Sequence, residues 1–191
     1  PLWGKTSAFD KVSRGTGETQ ELSVGDNIDG MVLFDIGGRS ILAVNNEYCN
    51  FKVIYGNRPQ GAPENLDDLR KGIAAHGVSI FEVQRIGKKW EVIQDSFYNR
   101  RITADTEMEM TGPAAGDRLL QTTLDPTGKR VLGTLNNCGC GQTPWGTYLT
   151  CEENFNKYFY SHDTSLKISP QQARYGMQLH DSGYGWADLQ E

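Results

Sequence analysis

The sequence feature that most constrains the fold is a repeated strand–turn–strand pattern. Three times along the chain, a short run rich in apolar and β-branched residues is followed by glycine-containing turn residues and a second such run. This pattern is typical of antiparallel hairpins, because a tight turn joins two strands that run in opposite directions. The predicted pairs are residues 31–36 with 40–45, residues 78–85 with 90–95, and residues 130–135 with 146–151.

Two short segments favour helices. In residues 63–75 the apolar side chains recur at helical spacing, acidic residues stand at the start, and Gly77 follows the end. Residues 170–175 begin with proline directly after Ser169, a residue type that often caps helices. Because these helices are short and do not alternate with the strands, we predict an all-β fold, mainly β with short helices. A β-sandwich or a propeller-like antiparallel hairpin meander fits this order.

Composition narrows the class of protein. The 191 residues predict a single domain over residues 1–191. Lys and Arg number 19 against 24 Asp and Glu, a net charge of −5 with no basic block, so we expect no nucleic-acid partner. We expect no membrane span either, because no apolar run approaches the roughly 18 residues that one needs. Four cysteines are too few for a disulfide scaffold. The negative net charge favours small solutes and cations as partners.

The first candidate site follows an apolar strand, where Asn45, Asn46 and Glu47 precede Tyr48. A carboxylate and two amides emerging together at a strand end offer the oxygen ligands that a hard cation such as calcium prefers. The alternative is a strand end in which asparagine serves only as a turn former.

The second candidate is the glycine-rich segment 136–147, which carries Cys138 and Cys140 directly after a strand. A thiolate favours iron or another transition metal over calcium, and a bound cation would deprotonate the thiol. Cys138 and Cys140 lack the partners of a zinc ribbon. The alternative is a hairpin loop that contains a free cysteine.

The third candidate is the acidic pair Glu152 and Glu153, which follows the next predicted strand and returns to the same end of the sheet. Adjacent strand residues point to opposite faces, so at most one of the two carboxylates would reach a common site unless the strand has ended. The alternative is a solvated acidic strand end.

Other polar residues carry weaker signals. Arg100 and Arg101 are able to bind a phosphate, although arginines in strands are more often surface ion-pair partners. His76 is either a ligand, a proton donor or a structural residue, and neither His162 nor His180 lies in a recognisable motif. The sequence has no nucleophile elbow, Walker loop, zincin motif or dinucleotide fingerprint, which removes the commoner hydrolase and nucleotide-binding classes.

An ordered series of short motifs resembles the PhoX family of bacterial alkaline phosphatases. The series runs through much of the chain and includes the Asn-Asn-Cys and Cys-Glu-Glu-Asn-Phe segments. The matching segments are residues 75–79, 98–103, 111–116, 132–138, 143–147 and 151–156.

This resemblance implies that the chain is the N-terminal portion of a longer β-propeller enzyme that hydrolyses phosphomonoesters at an iron and calcium site. It also implies export of the folded protein by the twin-arginine route, hence a periplasmic or secreted location. Carried over by position, Glu47 is similar to a family metal ligand and Cys138 to an iron ligand. At least one of Glu152 and Glu153 is similar to a calcium ligand. The remaining ligands and the phosphate-binding arginine of such enzymes lie downstream.

The sequence departs from the family pattern at two positions. Asn46 stands where the family has histidine, and Cys140 stands where glycine is usual. Two other functions stay open at this point. One is a non-catalytic propeller module that binds calcium or a partner protein, and the other is a structural fragment that self-associates through exposed strand edges.

Overall fold

The computed structural model describes residues 15–56, 61–179 and 183–189, and antiparallel β-sheets dominate it. The largest sheet has five strands, in the order β1-β2-β3-β4, with β5 pairing to another part of β3. Each pair is antiparallel. The strands are β1 (Ile28–Ile36), β2 (Arg39–Asn46), β3 (Gly77–Ile86), β4 (Lys89–Val92) and β5 (Arg100–Ile102).

Two smaller sheets complete the β-structure of the described residues. β6 (Thr106–Glu109) pairs with β7 (Arg130–Gly133), and β8 (Asn137–Gln142) pairs with β9 (Tyr148–Glu152), both antiparallel. The predicted hairpins β1–β2 and β3–β4 are confirmed, as is the mainly β class. The third predicted pairing, of residues 130–135 with 146–151, is wrong. β7 pairs with the preceding strand β6, and β9 pairs with β8, which lies between β7 and β9 in the sequence.

Short helices connect the strands. Both predicted helices are confirmed, although the first begins at Leu66, because the Asn65 side chain accepts a hydrogen bond from the Asp68 N–H (2.9 Å) and caps it. No helix in the described ranges has the length and apolar character needed to cross a membrane. The α-helices are α1 (Gly17–Glu21), α2 (Phe51–Ile54), α3 (Leu66–Ala75) and α4 (Pro170–Arg174), and the 3₁₀ helices are Arg118–Leu120, Phe155–Tyr158 and Ala187–Leu189.

The central strands β2 and β3 are buried on both faces. Ile41 and Ala43 of β2 pack on one face with Val78 and Ile80 of β3, and Tyr148 of the β8–β9 hairpin covers this cluster. The opposite face carries a second cluster of Val44, Phe81 and Val83. The β8–β9 hairpin therefore covers the face of β2 that carries Ile41, Ala43 and Asn45. The hairpin thus reaches the polar end of β2 at Asn45.

A third cluster lies beside α3 and is largely aromatic. Leu69 of α3 packs there with Tyr158 and Trp186, two residues far from it in sequence. This packing attaches the segment that follows β9 to the helix that precedes β3.

Arg101 on β5 joins three backbone segments. Its guanidinium donates to the carbonyls of Ser23 (2.6 Å), His76 (2.7 Å) and Val78 (3.5 Å). Burial lowers the pKa of Arg101 to about 10. These contacts to backbone carbonyls favour a structural role for Arg101 over both phosphate binding and the surface ion pair that is common for strand arginines.

We expect Arg101→Met to lower the free energy of unfolding of the complete protein by about 2 kcal/mol, because it leaves carbonyl groups without donors. Arg100→Met is the matched control, since Arg100 is exposed and its loss should cost less than about 0.5 kcal/mol. Urea denaturation followed by tryptophan fluorescence measures both. Equal stability of the two variants would contradict this role.

Candidate metal centre

Three potential metal ligands meet at the end of β2. One ligand atom each from Asp29, Glu47 and Cys138 lies within 4.8 Å of the other two. Asp29 is exposed, and the other two residues are half-buried. We refer to these three residues as the Cys138 cluster. Two carboxylates and one thiol form a mixed donor set, in which the oxygens suit hard cations and the sulfur suits iron or another transition metal.

The β1–β2 hairpin accounts for the two carboxylates. Its register pairs Ile28 with Asn46, so the start of β1 lies beside the end of β2. The register is irregular between Ile28 and Met31, the stretch that contains Asp29. The Glu47 N–H then donates to the Asn27 carbonyl (3.0 Å), which extends the pairing to the residue that carries the second carboxylate.

Asn45 holds the strand that carries Cys138. Its amide nitrogen donates to the carbonyls of Cys138 (2.8 Å) and Gly139 (3.4 Å). Its amide oxygen accepts from the hydroxyls of Tyr148 and Thr150, both at 2.9 Å. Asn45 is fully buried, and these four contacts satisfy its side chain. The β8–β9 hairpin is thereby fixed to β2, two residues before Glu47.

Gly30 permits the close approach of β1 to β8. A Cβ atom at this position would lie 2.7 Å from the Cys138 carbonyl oxygen and 2.8 Å from the Cys140 sulfur. The backbone oxygen cannot move away easily, because Asn45 also holds it. Any larger residue would push Asp29 and Cys138 apart.

The cluster concentrates negative charge. The hydrogen bond of the Cys138 thiol to Asp29, together with burial and the charges of Asp29, Glu153 and Glu47, raises the pKa of Cys138 to about 12. Burial first, and then the charges of Asp29 and Glu153, raise the pKa of Glu47. A bound cation would act in the opposite direction on every group, since it favours the deprotonated form of each ligand. The donor set and its charge therefore fit a cation.

The two glutamates of the acidic pair have different surroundings. The Glu152 carboxylate accepts hydrogen bonds from the Thr134 hydroxyl (2.6 Å) and the Leu135 N–H (3.0 Å). These bonds hold the carboxylate against the turn before β8. Glu153 is the one whose charge raises the pKa of Glu47 and Cys138. The prediction that one of the pair binds a cation remains a prediction, and this geometry favours Glu153.

Asp29 is the residue that sequence reasoning missed. A signal for it existed, because the predicted hairpin of residues 31–36 and 40–45, extended outwards, brings the residues before its first strand beside Glu47. Asn46 lies next to the cluster in sequence but turns its side chain away, and its amide oxygen accepts from the buried Ser79 hydroxyl (2.5 Å).

The histidines lie outside the cluster. Both ring nitrogens of His76 have protein partners, Nδ1 at the Gly72 carbonyl (2.6 Å) and Nε2 at the Tyr158 hydroxyl (2.7 Å). Burial, the largest cause, lowers the pKa of His76 to about 4, so the ring is neutral near pH 7. His162 pairs with Asp188 (2.8 Å) at the surface, and His180 lies outside the described residues. These contacts support the structural alternative for His76.

Comparison with known proteins identifies the protein family. Residues 2–190 match the family model described as alkaline phosphatase PhoX. A solved structure, Pseudomonas fluorescens PhoX in complex with vanadate, a transition state analogue, shares 44% sequence identity with the chain at a TM-score of 0.91. The match covers 99% of this chain and 33% of that chain, so the present chain spans about a third of its relative. No curated protein gives a significant match.

The chain therefore belongs to the PhoX alkaline phosphatase family, as its motifs predict.

The raised pKa of Cys138 predicts that its thiol is alkylated slowly in the complete protein after exhaustive metal chelation. A pKa of about 12 leaves a thiolate fraction of about 10⁻⁴ at pH 8, so iodoacetamide should alkylate Cys138 far more slowly than the exposed Cys151. Its rate should rise about tenfold per pH unit without a plateau below pH 10. Peptide mass spectrometry measures both rates.

Asp29→Asn should accelerate this alkylation at least about tenfold, because loss of the carboxylate charge lowers the thiol pKa. The matched control is Asp35→Asn, at the other end of the same strand, where the carboxylate accepts from the Gly38 N–H in the hairpin turn (3.0 Å). Alkylation that is as fast at Cys138 as at Cys151 would contradict the electrostatic account.

Proposed function

We propose that the complete protein is a metal-dependent phosphatase that releases phosphate from small phosphomonoesters. The single observation that carries this proposal is the Cys138 cluster, a donor set for cations in a chain of the PhoX alkaline phosphatase family. The vanadate complex of the Pseudomonas fluorescens relative supports a phosphoryl-transfer site in the family fold.

We propose that the cations are iron (Fe³⁺) and calcium, held by Asp29, Glu47, Cys138 and one of Glu152 and Glu153. The thiol of Cys138 suits iron, and the carboxylates suit either ion. When bound, such cations lower the pKa of coordinated water and neutralise charge on phosphoryl oxygens.

The chain's own residues explain why cations would be required. A phosphomonoester carries negative charge near pH 7, and so do the carboxylates of Asp29, Glu47 and the neighbouring Glu153. Like charges only a few ångströms apart repel strongly where solvent is partly excluded, so the metal-free cluster would reject the substrate. The same carboxylates become favourable once they hold cations, and Asn45 and Gly30 fix the approach of the hairpins that carry the ligands.

The rest of the proposed enzyme lies outside this chain. We propose that residues 1–191 form one domain, the N-terminal portion of a longer β-propeller, and that the remaining ligands and a phosphate-binding arginine come from downstream. The 33% coverage of the relative supports a complete protein that is longer than this chain. We also propose that the folded protein is exported by the twin-arginine route to the periplasm or the exterior, as the family resemblance implies.

Self-association of the 191-residue chain is a separate proposal. Large apolar side chains around the β6–β7 sheet are exposed, among them Leu119, Leu124, Val131 and Leu132. An unpaired strand edge beside such residues favours pairing with a second copy. A sedimentation experiment that finds only monomers at high concentration would refute it.

Cys138→Ala in the complete protein should remove most of the bound iron and lower the turnover of p-nitrophenyl phosphate by at least about 100-fold, because a metal site needs its ligands in place together. Metal analysis by mass spectrometry and a phosphate-release assay measure the two effects. Cys151→Ala is the matched control, since this exposed cysteine lies on β9 outside the cluster, and it should retain both iron and activity. An active Cys138→Ala variant that keeps its iron would overturn the assignment. A calcium-only protein without activity would favour the non-catalytic binding module.

A further inference from the structure

A chain of buried hydrogen bonds connects α3 to the turn that precedes Cys138. His76 Nδ1 contacts the Gly72 carbonyl (2.6 Å), His76 Nε2 contacts the Tyr158 hydroxyl (2.7 Å), and the Asn136 amide donates to that same hydroxyl (2.8 Å). The exposed fractions of His76, Tyr158 and Asn136 are 0%, 7% and 2%. Buried polar groups in a continuous chain restrict one another's orientation, because none of them can turn to water instead.

The chemistry of each partner sets the direction of the chain. A backbone carbonyl only accepts, so His76 must carry its proton on Nδ1 and present Nε2 as an acceptor. The Tyr158 hydroxyl then donates to Nε2, which leaves its oxygen lone pairs for the Asn136 amide. Three successive hydrogen bonds therefore link the orientation of the Asn136 side chain to the Gly72 carbonyl of α3.

Aromatic rings enclose this chain. Trp186 lies edge-on to both His76 and Tyr158, with ring centroids 5.2 and 5.1 Å apart, and Tyr184 lies 5.0 Å from Tyr158. This packing holds the phenol ring independently of its hydroxyl. Removal of the hydroxyl alone should then leave the aromatic cluster in place.

Asn136 transmits this constraint to the cluster. Its backbone is left-handed (φ +53°), and its carbonyl accepts from the Glu153 N–H (2.9 Å). Cys138 follows two residues later on β8. The turn at Asn136 thus sets the positions of both Cys138 and Glu153, and its own side chain is held from the opposite side by Tyr158.

We propose that Tyr158 and Asn136 are positioning residues for the metal centre, which hold the turn so that Cys138 and Glu153 face the two carboxylates of the β1–β2 hairpin. This inference rests on the proposed function in so far as the cluster binds cations. Residues that orient ligands without touching the metal typically change metal affinity about 10- to 100-fold when they are removed. We expect a loss of this size in the variants below.

The test uses the complete protein with Tyr158→Phe, Asn136→Gly and the double variant. Phenylalanine keeps the ring, and glycine keeps the left-handed backbone conformation while it removes the amide. Tyr184→Phe is the matched control, because it removes a hydroxyl from the same aromatic cluster outside the chain of hydrogen bonds. Iron and calcium retention is titrated against a chelator well below each unfolding temperature, where lower stability by itself does not change the affinity of the folded protein.

Both single variants should lose about 10- to 100-fold in metal affinity relative to Tyr184→Phe, and the double variant should be hardly worse than either single variant, because both act through one chain. Affinities equal to the control, or losses that simply multiply in the double variant, would overturn the inference. So would a complete protein that binds no metal, an outcome that also overturns the proposed function. If the metal is held, and released by Tyr158→Phe, but no phosphomonoester is hydrolysed, the inference stands and the phosphatase proposal fails.

Discussion

The hydrogen bonds of the Asn45 side chain join the two parts of the structure that form the candidate metal centre. Asn45 occupies a position on β2 where the alternation of buried side chains calls for an apolar residue. A buried amide without partners would be costly, yet here two hydroxyls and two carbonyls satisfy it. All of these partners lie on the β8–β9 hairpin. The observed docking of the hairpin satisfies the Asn45 amide, and it places Cys138 beside Glu47.

Local sequence signals were enough for the parts of the fold that form locally. The β1–β2 and β3–β4 hairpins and the helix cap at Ser169 depend on neighbouring residues, so turn chemistry and periodicity predict them. The sequence pattern predicts the wrong partner for residues 130–135, because β7 is separated from β6 by a long connection and from β9 by an intervening strand. Nothing within residues 130–135 specifies which of several strands will lie beside them.

The residues of the candidate site also differ in whether local sequence indicates them or only the folded structure does. Glu47 and Cys138 were identifiable because each directly follows an apolar strand or stands in a glycine-rich segment. Asp29 depends on the irregular register at the start of β1, and no local pattern indicates where a strand becomes irregular. The choice between Glu152 and Glu153 depends on the hydroxyl of Thr134 and the N–H of Leu135, which occupy Glu152 and become its neighbours only when β9 pairs with β8.

Two neutral amides hold Cys138 and the turn that precedes it from opposite sides. Asn45 fixes the carbonyl end of Cys138 from the sheet, and Asn136 fixes the preceding turn through Tyr158 and the aromatic cluster. Amides do not titrate and carry no net charge, so their hydrogen bonds to the backbone and to Tyr158 do not depend on pH in the way that an ion pair would. A lysine or arginine in either place would neutralise the carboxylates and compete with a cation for them. The use of buried amides therefore keeps the negative charge of Asp29, Glu47 and Glu153 available to a cation while it determines their spacing.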